Sequence, residues 1–229
     1  MIKRITLAAV AVTALTGLAP AANAAETTGT INVPSDFVVE LSSTGTTGSY
    51  EVSDTALHIA TTGATSTDKV AEYVASNAAL AAVGEPTLDY TNTSEAGVPA
   101  AQLVVDFNND GSSDGILVGE PASYGNDWWL NRTATEIAKA GAPETDGGSG
   151  SEWHGTLQQW RVAFPDAVVE AFGFSLGSGV LGDGLLTAIN FAGTQYTFAK
   201  SEALDACTWG VSKAINSLVI DNLAADCVS

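Results

Sequence analysis

The chain has 229 residues, 26 of them acidic and 8 basic, and a net charge of −18. This balance argues against nucleic acid and anionic membranes as partners, because phosphate binding needs a basic surface. No apolar run of about 18 residues follows the N-terminal segment, so the sequence predicts no membrane span there.

The N-terminal segment has the three parts of a secretory signal peptide. Lys3 and Arg4 give it a basic start, residues 5–18 are apolar, and Ala-Asn-Ala at 22–24 is a small-residue cleavage site. We expect cleavage after Ala24, which places the mature protein outside the cell.

Most of the chain that follows shows the short apolar and Thr-rich runs, divided by Gly and Asn, that are typical of β-strands. Residues 67–83 are ambiguous, because their apolar positions fit a helical stripe as well as a strand. The predicted strands are residues 37–41, 50–52, 56–59, 87–90, 103–107, 116–118, 168–176, 185–191, 194–198 and 217–220.

Helix is predicted at one place. Thr156 is a suitable N-cap for a short helix over 157–164, which Pro165 ends. Residues 119–155 are rich in Gly, Pro, Asn and Asp, and within them 145–151 predicts a mobile loop. The whole pattern predicts a mainly β protein, an antiparallel β-sandwich with one or two short helices.

The cysteines predict how the C-terminus is held. Cys207 and Cys227 are the two cysteines of the chain, and in an exported protein such a pair indicates one disulfide. We therefore expect a sandwich domain over 25–205 and a disulfide-closed segment over 206–229 that packs on it.

An acidic loop lies between two predicted strands and is the sharpest local motif. Carboxylate and amide oxygens recur at Asp106, Asn108, Asp110 and Asp114, and Gly111 permits a tight turn. Calcium binds six to eight oxygen ligands, so calcium is the cofactor that this spacing predicts. The alternative is a hairpin turn that is built from residues with high turn propensity and binds no ion.

Aromatic residues are concentrated in the loop-rich third of the chain. Flat rings stack on the apolar faces of sugars, and amides bind sugar hydroxyls. The candidate ligand-binding residues are Tyr124, Asn126, Trp128, Trp129 and Trp153. Trp160 lies on the apolar face of the predicted helix, so we assign it to the core. One of the adjacent pair Trp128 and Trp129 would also face inward if the pair lies on a strand.

Three functions remain open from the sequence. The leading interpretation is a secreted, non-catalytic binding module for an extracellular glycan or cell-wall polymer, assisted by calcium. The second is a polysaccharide hydrolase with a carboxylate pair, for which Glu40, Glu51, Glu72 and Glu170 lie on or near predicted strands. The third is a structural protein of the cell surface.

Two resemblances bear on fold and ligand. Gly155-Thr-Leu, Ala163-Phe-Pro, Gly173-Phe-Ser-Leu-Gly-Ser-Gly and Ile189-Asn-Phe-Ala-Gly-Thr-Gln-Tyr-Thr-Phe resemble a module of uncharacterised secreted bacterial β-sandwich proteins, of concanavalin-like or jelly-roll type. This resemblance implies a fold and no activity. The acidic loop resembles the D-x-N-x-D-G calcium loops of dockerins, thrombospondin-type repeats and integrin-like FG-GAP repeats, although it occurs once and has Leu117 at the twelfth position.

Overall fold

The computed structural model describes residues 27–45, 47–93 and 97–202. The predicted signal peptide, the cysteine pair and the last predicted strand lie outside these ranges. The strands are β1 Thr27–Val33, β2 Ser43–Thr44, β3 Ser49–Ser53, β4 Ala56–Thr62, β5 Val70–Ala79, β6 Thr87–Asn92, β7 Ala100–Asp106, β8 Gly115–Gly119, β9 Asp127–Leu130, β10 His154–Thr156, β11 Val168–Leu176, β12 Leu181–Phe191 and β13 Thr194–Lys200. The helices are α1 Pro121–Tyr124, α2 Glu136–Ala140, α3 Leu157–Ala163 and a 3₁₀ turn at Leu80–Ala82.

These strands form two packed sheets, which confirms the predicted β-sandwich class. The first sheet has the order β1-β13-β12-β4-β3, and β6 pairs with the other edge of β12. The second sheet has the order β10-β9-β8-β7-β11-β5-β2. Every pair is antiparallel except β1 with β13. No helix among the described residues has the length and apolar character that a membrane crossing requires.

The core lies between the inner faces of the two sheets. Its largest fully buried side chains include Trp160, Phe107, Phe174, Phe198 and Leu57. Burying an aromatic or leucine side chain of this kind is worth about 1.5–3 kcal/mol, so the sandwich rests mainly on apolar contact between the sheets. The assignment of Trp160 to the core is confirmed.

Two local predictions were resolved by pairing between distant segments. The ambiguous stretch 67–83 contains strand β5, because β11 and β2 provide hydrogen-bonding partners on its two edges. The strand predicted over 37–41 is wrong. Phe37 makes one isolated bridge to Val74, and then the amides of Leu41 and Ser42 turn back to the carbonyl of Val38.

A buried carboxylate secures the end of β4. Asp68 accepts hydrogen bonds from the backbone N–H and the hydroxyl of Thr62, at 2.8 and 2.7 Å. Hydrogen bonds donated by Thr47 and Thr62 lower the pKa of Asp68, although burial acts in the opposite direction. The ionised form of Asp68 therefore stabilises the fold.

Candidate functional site

The acidic loop connects β7 to β8, as the predicted hairpin requires. Its first carboxylate, that of Asp106, binds backbone N–H groups of the same loop. Asp106 is buried and accepts hydrogen bonds from the backbone N–H groups of Asp110, at 3.2 Å, and of Gly111, at 2.7 Å. Asn108 and Asp110 are exposed, and their oxygens accept hydrogen bonds from amides two residues ahead. These contacts close the turn through its own backbone.

The last carboxylate of the loop joins the hairpin to α2. Asp114 is buried; its Oδ2 accepts a hydrogen bond from the N–H of Phe107 at 2.8 Å, and its Oδ1 accepts one from the hydroxyl of Thr135 at 2.8 Å. Thr135 is the N-cap of α2. Asp106 and Asp114 thus have structural partners in the protein, and the calcium site stays a prediction.

The adjacent tryptophans of β9 point to opposite faces of the second sheet, as expected for a strand. Trp128 is 3% exposed, faces the interior and donates its indole N–H to Glu85 at 2.8 Å. Trp129 is half-buried on the outer face and donates to Glu120 at 2.8 Å. Both indoles are therefore fixed by a carboxylate, which defines their orientation.

The other predicted aromatic and amide residues are dispersed. Trp153 is half-buried, with the ammonium nitrogen of Lys139 at 5.2 Å from its ring centroid. Tyr124 is half-buried at the end of α1, and Asn126 is exposed just before β9. The five candidate residues do not form one flat aromatic surface of the kind that would bind a crystalline polysaccharide.

A cleft of about 630 Å³ opens where edge strand β6 of the first sheet faces residues 119–128 of the second. Of the predicted ligand-binding residues, Trp128 and Asn126 line it, and Tyr124, Trp129 and Trp153 do not. The walls are mainly apolar. They comprise Pro86, Leu88, Tyr90, Val98, Pro99, Ala101, Pro121, Ala122, Trp128 and Val180.

The cleft also contains acceptor groups in defined positions. Glu85, just before β6, and Glu120, just after β8, both line it, and each accepts a hydrogen bond from a tryptophan indole. Among the residues that the structure describes, the buried hydroxyl of Tyr90 has no hydrogen-bond partner; it lies against Gly184, where an added Cβ would be 2.4 Å from it. Burial, and then the nearby Asp183 carboxylate, raise the pKa of Tyr90, so it remains a neutral phenol.

A second group of polar side chains surrounds His154 at the start of β10, on the outer face of the same sheet. His154 is 5% exposed, because the loop over 144–151 covers it. Its Nδ1 lies 3.2 Å from Asp127 Oδ2, and its Nε2 lies 3.1 Å from Asp146 Oδ1 and 3.0 Å from the Gly147 carbonyl oxygen. Glu144 Oε2 lies 3.9 Å from Nδ1.

Opposing effects act on the pKa of His154. Burial lowers it, but hydrogen bonds to Asp146, Asp127 and the Gly147 carbonyl, together with the charge of Glu144, outweigh burial and raise it. Sequence reasoning missed this group. The acids at 144 and 146 precede the histidine by eight to ten residues, a spacing that matches no common metal motif.

Comparison with protein-family models, curated proteins and solved structures finds no match to this chain. The resemblances to secreted β-sandwich modules and to calcium loops therefore stay predictions. The features of the described residues that bear on function are the cleft, the acidic loop and the His154 group.

Proposed function

We propose that this chain is a secreted, non-catalytic binding module that holds an extracellular glycan or cell-wall polymer in the cleft between β6 and residues 119–128. The observation that carries the proposal is the composition of this cleft. Apolar surface, supplied mainly by exposed side chains such as Val98 and Pro121 because Trp128 is only 3% exposed, combines there with the hydrogen-bonding groups of Asn126, Glu85 and Glu120.

The chemistry of these groups suits a sugar. Ligand sites are typically concave, mainly apolar, about 300–1,000 Å³ in volume, and supplied with a few placed polar groups, and the cleft has each of these properties. Carboxylates accept hydrogen bonds from sugar hydroxyls, and two of them in one cleft repel anions. We therefore expect a neutral or amino-bearing sugar and not an acidic one.

The rival function, hydrolysis of a polysaccharide, receives support from one observation. Glu85 and Glu120 both line the cleft, as a catalytic carboxylate pair would. Of the candidates named from the sequence, Glu72 and Glu170 do not form such a pair: Glu72 is level with Phe174 across β5 and β11, four residues from Glu170. At about 3.3 Å per residue this is on the order of 13 Å, beyond the roughly 5–9.5 Å that glycosidases use.

A glycan array with the mature protein tests the proposal directly. Asn126→Ala removes an exposed cleft amide, and Asn77→Ala removes an exposed amide on β5, outside the cleft, as a matched control. Loss of one hydrogen bond worth about 0.5–1.5 kcal/mol should weaken binding roughly 2- to 12-fold in Asn126→Ala and leave Asn77→Ala unchanged.

Glu120→Gln separates binding from catalysis. If the chain is a hydrolase, this variant loses release of reducing sugar while it still binds the array ligand; a binding module releases no sugar in either form. An array on which no glycan binds would refute the glycan proposal and favour a structural role at the cell surface.

A further inference from the structure

We infer that His154, Asp146 and Glu144 form a binding site for a divalent cation of the Zn²⁺ or Mn²⁺ type, separate from the cleft and from the acidic loop. One ligand atom of each residue lies within 4.8 Å of the others. The three residues come from β10 and from the loop before it, and His154 itself is buried.

The orientation of His154 supports a metal ligand. Asp127 of β9 faces Nδ1 at 3.2 Å and is itself held by the hydroxyl of Ser149 at 2.9 Å. A metal-ligating histidine generally donates its second ring N–H to a carboxylate in this way, which fixes the tautomer and directs the other nitrogen at the ion. Nε2 is the nitrogen left for the ion, and it faces Asp146. The Glu144 carboxylate lies nearer to Nδ1, at 3.9 Å, so it reaches an ion on Nε2 only if its exposed side chain moves.

The spacing around Nε2 fits coordination. It lies 3.1 Å from Asp146 Oδ1 and 3.0 Å from the carbonyl oxygen of Gly147. Zinc–nitrogen and zinc–oxygen bonds are about 2.0–2.2 Å long, so two ligand atoms at the tetrahedral angle are about 3.4 Å apart, a few tenths of an ångström more than the separations here. A nitrogen, a carboxylate oxygen and a carbonyl oxygen at these separations can share one ion after small movements.

The charge around the histidine is unbalanced. Three carboxylates, Asp127, Glu144 and Asp146, approach one imidazole, which carries at most one positive charge. Within residues 27–45, 47–93 and 97–202, no lysine or arginine forms an ion pair with any of the three. A divalent cation would neutralise this excess, and the exposed carboxylates of Glu144 and Asp146 give it a route in from solvent.

The ligand types select the class of cation. Imidazole nitrogen favours Zn²⁺ and related transition metals, whereas carboxylate and carbonyl oxygens also accept Mn²⁺. Calcium and magnesium prefer sites made of oxygen alone. This distinguishes the His154 site from the acidic loop, which offers only oxygen.

Isothermal titration of the chelator-treated chain with Zn²⁺ tests the inference. We expect one ion per chain, with affinity reduced at least 10-fold in Asp146→Asn, whose exposed side chain can be changed without disturbing the core. Asp127→Asn should reduce affinity about 10- to 100-fold by disturbing the orientation of the ring. The matched control is Glu152→Gln, an exposed acid near the same loop that should leave binding unchanged.

Several results would overturn the site. These are no saturable binding of Zn²⁺ or Mn²⁺, an equal loss in Glu152→Gln, or an affinity that Asp110→Ala lowers as much as Asp146→Asn does. A second readout is the NMR signal of the His154 ring, which should change in the parent chain at a Zn²⁺ concentration near its Kd and change far less in Asp146→Asn at the same concentration. Neither measurement depends on glycan binding, so this inference and the proposed function can fail separately.

Discussion

Replacing Asp114 with alanine tests whether the acidic loop is held by its own hydrogen bonds or by an ion. The Asp114 carboxylate accepts hydrogen bonds of 2.8 Å from the Phe107 N–H and from the Thr135 hydroxyl, and the substitution removes both. The buried N–H of Phe107 is then left without this acceptor. Hydrogen bonds to charged groups contribute about 1.5–3 kcal/mol each, and an unsatisfied buried group costs about 1–3 kcal/mol. Because these costs overlap, we expect Asp114→Ala to lower the free energy of unfolding by about 3–4 kcal/mol.

The matched variant is Asp110→Ala in the same loop. Asp110 is exposed and makes hydrogen bonds to the Ser112 N–H and the Asn108 amide, both at 3.0 Å. Contacts open to solvent contribute little, so this loss should stay below about 1 kcal/mol.

Thermal unfolding at neutral pH, with chelator and with millimolar calcium, measures both variants. For a domain of this size about 3 kcal/mol corresponds to a fall in Tm of roughly 6–12 °C for Asp114→Ala. If Asp110→Ala were harmless in chelator and lowered the midpoint as much as Asp114→Ala in calcium, an ion would organise the loop and the hydrogen-bond explanation would be wrong.

Three further outcomes are expected. Thr156→Ala removes the capping box of α3 and should lower the free energy of unfolding, measured in urea, by about 1 kcal/mol. An unchanged urea midpoint would contradict the stabilising role of this cap. Because neighbouring threonines lower the pKa of Asp68, its ionised form stabilises the fold above about pH 3.8, and this stability is lost as the pH falls through the lowered pKa. In Asp68→Asn, Tm should fall less steeply with decreasing pH than in the parent chain. An equally steep fall would refute the stabilising role of the ionised Asp68 carboxylate. Gly150→Ala places a Cβ 2.5 Å from the Trp129 ring, whereas the Cβ of Gly148→Ala meets no described atom within 4 Å. Both glycines have positive φ, so the backbone strain is comparable, and indole fluorescence should change more in Gly150→Ala than in Gly148→Ala.

Local patterns were sufficient to predict the parts of the fold that local chemistry determines. The hairpin of β7 and β8 follows from two apolar runs around an Asn-Asp-Gly turn, and α3 begins at Thr156 with a capping box of Thr156 and Gln159. That Trp128 and Trp129 face opposite sides of the sheet follows from the alternation of a strand, but the inward position of Trp128 is known only from the structure.

The two candidate sites could not be predicted in this way, because distant segments form them. The cleft joins Glu85, just before β6, and Tyr90 of β6 to Trp128 of β9 in the other sheet. His154 is buried because a loop rich in glycine folds back over it, and this loop has no periodic pattern to indicate where it goes. Aromatic content drew attention to the loop-rich third of the chain, but it did not show which rings face solvent.

The two proposed sites are connected through one indole. His154 and Trp129 are paired across β10 and β9, and Gly150 of the covering loop lies directly against the Trp129 ring. The indole N–H of Trp129 then holds Glu120, which lines the cleft. A cation bound at His154 would fix the loop that packs on Trp129, and Trp129 in turn holds the Glu120 carboxylate at the cleft. These contacts join the two proposed sites, although no ligand of one site belongs to the other.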